Sequence, residues 1–214
     1  MKKEIALIAV MTLAPLAAPA QIQGSPAAAA TEEIGHNAEN LYDWARIGDW
    51  NKARTDLAAL KSAVAKLQAT GSTDLGETNR RLAAIQAAVN RRQPRALMHA
   101  ANEMTRVAAE LSVPFNPQVP PEVTLLDYDA RAVTLWAEEG KRARLNESRM
   151  RLREDWATAR PLVIAKGGIT QAQQFEALID RLSAAKTPQD FSAATTLILD
   201  SVDSLEAVFT RGSV

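Results

Sequence analysis

The chain contains no cysteine, only two histidines and two tyrosines, and its aromatic content is 5%. Without cysteine there is no disulfide framework, no thiolate metal site, no cysteine nucleophile and no CxxCH for covalent haem. Stability must come from a packed core. There is also no net charge, since 25 Lys and Arg balance 25 Asp and Glu. A near-neutral chain has no long-range field to steer it onto nucleic acid, so nucleic acid is excluded as a main partner. No glycine-rich phosphate loop occurs, and Gly167-Gly168 reads as an isolated helix stop. No run of β-branched residues alternates with polar ones between turn signals, so no strand is expected.

The amino terminus carries a recognisable pattern. Lys2 and Lys3 precede a mostly apolar run, Ile5 to Leu16, and Ala18-Pro19-Ala20 forms a small-x-small site. This is the three-part layout of a secretory signal peptide over residues 1–20, with cleavage expected after Ala20. The apolar run falls short of the roughly 20 residues a spanning helix needs, and Pro15 interrupts it, so no membrane span is expected. A lipid anchor would need a cysteine after the cleavage site. The expected location is the bacterial periplasm. Cleavage removes Lys2, Lys3 and Glu4 and leaves 194 of the 214 residues at net charge −1. That length suffices for one large domain or two small ones.

Residues 21–30, QIQGSPAAAA, show no apolar period and are expected as a loose leader. From Thr31 on, apolar residues step by alternating threes and fours, the pattern of packed helices. Ala53, Leu57, Leu60, Val64 and Leu67 form one stripe; Leu97, Ala101, Met104, Ala108 and Leu111 form another. Gly48-Asp49 closes one helix and caps the next. Pro94 and Pro188 suit a first helical turn, and Thr187 with Asp190 resembles a capping box. The expected architecture is all-α, about eight helices in two antiparallel four-helix units spanning residues 31–113 and 122–211. A proline-rich linker, residues 114–121 with Pro114, Pro117, Pro120 and Pro121, joins them. The units look related, because Leu41, Trp44-Ala45 and Gly48 recur at the same spacing as Val133, Trp136-Ala137 and Gly140, which suggests an internal duplication. The stretch GDWNKARTDLAAL resembles the turn and second helix of a tetratricopeptide repeat. The resemblance covers that one turn, and the motif's period of about 34 residues is absent.

Few residues offer chemistry. His99 has Glu103 four residues on, and His36 has Glu39 three residues on, so each pair shares a helix face and could give half a metal site. Yet both histidines fall at the heptad position pointing away from partner helices, whereas bundle metal sites face inward. Solvated histidines are therefore expected, with His99→Ala shifting stability by less than about 0.5 kcal/mol. Asp127 and Asp129 in LLDYDAR stand two apart, cannot face each other, and are expected as solvated charges. Lys141, Arg142, Arg144, Arg149, Arg151 and Arg153 make a basic stretch in which Glu147, Glu154 and Asp155 are interspersed, as in ordinary surface pairs. Trp44 and Trp136 flank their stripes, where bundle grooves can receive a partner helix or small ligand. No cofactor and no enzymatic activity are implied. The sequence suggests an exported binding protein whose partner is another periplasmic protein or a small ligand. The alternative is a metal-binding bundle using His36, Glu39, His99 and Glu103.

Overall fold

Residues 24–71 and 75–211 are described by a computed structural model, so the expected signal peptide and its cleavage site lie outside the described residues. The described chain forms eight α-helices and no strand: α1 (Pro26–Ile47), α2 (Trp50–Ala69), α3 (Gly76–Arg91), α4 (Pro94–Ser112), α5 (Pro121–Glu138), α6 (Arg142–Ala165), α7 (Ile169–Ala184) and α8 (Pro188–Thr210). A single 3-10 turn, Val113–Phe115, follows α4. The all-α class expected from the apolar spacing is therefore observed.

Local chemistry sets the helix ends. Gly48 takes φ 76°, a left-handed conformation that glycine adopts without Cβ strain, and the Asp49 carboxylate then accepts from the Lys52 N–H to start α2. Thr187 and Asp190 form a reciprocal capping box, with Pro188 in the first turn of α8. The expected loose leader is corrected in part. Ser25 caps α1 and the chain is helical from Pro26, with Ala27, Ala28 and Ala30 buried. Alanines favour helix strongly but leave little periodic signal, which is why spacing alone missed this turn.

Successive helices pack on one another, and α1 packs on both α2 and α4, while α5 packs on both α6 and α8. Two apolar clusters result. One draws on α1 to α4, including Ile34, Leu41, Leu60, Ile85, Leu97 and Met104. The other draws on α5 to α8, including Leu126, Leu152, Phe175, Ile198 and Val202. Each fully buried leucine or isoleucine contributes on the order of 1.5–3 kcal/mol, so these stripes hold the helices together.

The element that organises the molecule is α5. It packs not only within its own quartet but also on the outer face of α4. Leu135 of α5 joins the first cluster, and Asn102 of α4 donates from Nδ2 to the Tyr128 carbonyl of α5 at 2.9 Å. As a result α5 is buried on nearly every side, from Leu126 through Leu135. Among those residues are Asp127, Asp129 and Arg131.

Candidate functional site

Asp127 and Asp129 were expected in solvent; burial of α5 places both inside. Their side chains point to different neighbours, as a two-residue step on a helix requires. Asp127 faces α1 and α8, and Asp129 faces α6.

On the α1–α8 side lies a cavity of about 370 Å³, lined by α1, α5 and α8. Its inner wall contains Tyr42, Asp127, Arg131, Thr134 and Thr195, each buried. Arg131 approaches Glu39 at 3.7 Å and lies over the Tyr42 ring, 5.5 Å from its centroid. One of its terminal nitrogens, Nη1, is buried without a hydrogen bond. The hydroxyls of Thr134 and Thr195 bond each other at 2.6 Å, tying α5 to α8. Asp127 is only 7% exposed, yet no hydrogen bond and no ion pair within 4 Å reaches its carboxylate among the described residues. Burial pushes its carboxyl well above the usual range, against the opposing pull of Arg131. Burial raises Glu39 as well, and takes the nearby Glu206 up to about 7. The cavity mouth is acidic: Asp43, Asp200 and Asp203 are exposed there.

On the α6 side Asp129 is fully buried. Arg151 Nε lies 3.3 Å from its Oδ1, but neither carboxylate oxygen accepts a well-formed hydrogen bond. Burial, then the neighbouring Asp155 carboxyl, push Asp129 up to about 8. Others of the basic stretch are held in contacts: Arg144 pairs with Glu147 at 3.0 Å, and Arg149 donates to the Ser183 carbonyl at 3.1 Å.

The histidines take separate places. His36 is exposed, lines the mouth of the α1–α5–α8 cavity near Glu39, and contacts Asn40 at 3.2 Å. His99 departs from expectation. Its Nε2 lies 2.7 Å from Glu139 Oε1, and its ring stacks on Trp136 with centroids 4.5 Å apart. The heptad assignment assumed that α4 has only the neighbours of one four-helix unit; α5 covers the face left over. His99→Ala is accordingly expected to cost about 1–2 kcal/mol by urea denaturation, through the lost ring contact with Trp136 and the lost hydrogen bond to Glu139. A change within about 0.5 kcal/mol would contradict that packing.

Glu103 accepts from the Tyr128 hydroxyl at 3.0 Å and lines a different cavity from His36 and Glu39. The four residues of the metal alternative are thus not brought together. Among the described residues no three His, Asp or Glu side chains gather where a metal ion could sit. The tryptophans are separated too. Trp44 donates from Nε1 to Asp56 of α2 and lies under Lys52, 4.2 Å from the ring centroid, whereas Trp136 belongs to the α4–α5 seam. Comparisons with protein-family models, with curated proteins and with solved structures return no match.

The sequence carried a signal for the site it did not point to. The stretch 123–137 is apolar on several faces at once, with Val123, Leu126, Ala130, Ala132, Val133, Leu135 and Ala137, and a helix apolar all round is a buried one. Charges embedded in such a helix are buried with it.

Proposed function

We propose that this chain is an exported, periplasmic helical protein with a non-enzymatic binding role, and that its ligand site is the cavity between α1, α5 and α8. The observation that carries this reading is Asp127, a buried residue whose carboxylate lines the cavity and accepts no hydrogen bond from the described protein residues. A carboxylate set this deep in the cavity wall is poorly solvated, and a ligand filling the cavity would supply it with donors. The volume, about 370 Å³, falls within the range of small-molecule sites. A binding role is favoured over catalysis because no hydrogen bond joins His36 to a cavity hydroxyl, so no activated nucleophile stands there. Export rests on the charged start, apolar run and Ala-Pro-Ala site. No described helix is long and apolar enough to cross a membrane.

The second unit of the architecture is read as a duplicate of the first. Beyond the recurring residues, Gly48 and Gly140 are both left-handed, and the backbone bonds around them correspond: Asp49 N–H to Trp44 O at 3.0 Å, and Lys141 N–H to Trp136 O at 2.9 Å. In this reading the cavity lies where one copy meets the other, a common place for ligands.

Thermal unfolding against a panel of small cationic, anionic and zwitterionic molecules tests the binding role. A ligand at 100 times its Kd adds about 2.7 kcal/mol, a rise of roughly 5–10 °C at this length. The expected result is such a rise for at least one class, abolished in Asp127→Asn. Shifts that persist in that variant, or none across the panel, would contradict it.

A further inference from the structure

We propose that the occupant of the α1–α5–α8 cavity is a small organic cation carrying primary ammonium groups, held deep inside by Asp127 and Glu39 and at the mouth by Asp200 and Asp203. The proposal rests on the reading of this cavity as a ligand site and adds the class of ligand.

Charge is the first argument. Five carboxylates line the cavity, those of Glu39, Asp43, Asp127, Asp200 and Asp203, against the guanidinium groups of Arg46 and Arg131. The deeper of those two, Arg131, lies 3.7 Å from Glu39 and over the Tyr42 ring, and although its Nη1 makes no hydrogen bond, five carboxylates still outnumber two guanidinium groups. An anion entering here would meet an excess of like charge. Asp127 adds to this charge, because its carboxylate lines the space and accepts from no donor among the described residues. A carboxylate so placed asks for a charged N–H donor, the strongest kind available to it.

Geometry selects the kind of cation. A bare divalent ion needs several oxygen ligands converging at about 2.0–2.6 Å. No three carboxylates or imidazoles converge in that way among the described residues. An ammonium group tolerates separated acceptors, because each of its three N–H bonds points to a different one. Carboxylates at both the inner wall and the mouth match a chain with an ammonium at each end. Burial raises the Asp127 and Glu39 carboxyls, and an ammonium entering the cavity takes the place of the proton.

Isothermal titration of the purified protein with putrescine tests this, with 1,4-butanediol as its neutral counterpart, succinate as its anionic one, and calcium chloride. Saturable putrescine binding is expected, with no heat from butanediol. Asp127→Asn is expected to weaken it by about 30-fold or more, as when one partner of a buried charge pair is removed. Asp200→Asn with Asp203→Asn is expected to weaken it by less than about tenfold, because exposed charges are screened. Should Asp127→Asn fail to fold by circular dichroism, Glu39→Gln carries the same comparison. Absent putrescine binding, or binding unchanged in these inner variants, overturns the proposal. Asp127-dependent binding of succinate or calcium instead would overturn the ligand class while leaving the cavity as a binding site.

Discussion

Arg131→Ala is expected to lower the free energy of unfolding by about 3–5 kcal/mol at neutral pH, one of the largest single-residue effects in this molecule. Arg131 is 8% exposed and stands between Glu39 of α1 and Asp127 of its own helix. Removing it strands two carboxylates in a poorly solvated place and takes a cation from over the Tyr42 ring. The loss should shrink as pH falls. Burial has already raised both carboxyls, so acid neutralises them before it neutralises exposed ones. Arg131→Met combined with Glu39→Leu should cost less than Arg131→Met alone, because removing the whole Arg131–Glu39 pair is milder than breaking it. Urea denaturation at pH 7 and pH 5 measures all three. A loss below about 1 kcal/mol for Arg131→Ala would place its guanidinium in solvent, where surface pairs are weak.

The second large effect comes from Asp129 and has the opposite sign. Its carboxyl titrates near 3.9 in an unfolded chain and is pushed up to about 8 in the fold. Between those values the folded state binds the extra proton. Stability from this group is therefore present below about pH 4 and declines as pH rises through 8, by up to about 1.4 kcal/mol per pH unit. Asn keeps the shape and cannot ionise. Asp129→Asn is thus expected to flatten that decline and to exceed the wild-type stability at pH 8 by at least about 2 kcal/mol. Arg151 opposes the shift from 3.3 Å, so combining the variant with Arg151→Met should leave the flattened profile in place. Parallel pH–stability curves for wild type and Asp129→Asn would show that the carboxyl is ionised throughout.

Helix boundaries were legible in the sequence because their causes are local. Gly48 with Asp49, Pro94, and Thr187 with Asp190 act through their own backbone neighbourhoods, and each does in the fold what its chemistry suggests. The core stripes were legible for the same reason: Leu57, Leu60, Val64 and Leu67 need only the period of the helix. What the spacing could not convey was the number of neighbours around each helix. A heptad presumes one apolar face, but α4 is buried on two, so His99 and Asn102 turn toward α5 rather than to water. The same non-local packing converts Asp127, Asp129 and Arg131 from apparent surface charges into interior ones. Their unusual setting was written only in the apolar residues around them.

Carbon-detected NMR titration of the aspartate side-chain carboxyls tests most directly whether α5 carries its charges in the interior. Asp127 and Asp129 should titrate apart from the exposed aspartates, Asp127 well above the usual carboxylate range and Asp129 at about 8. Both titrating at about 4, as solvated aspartates do, would contradict the burial of α5 and remove the inner wall of the proposed site.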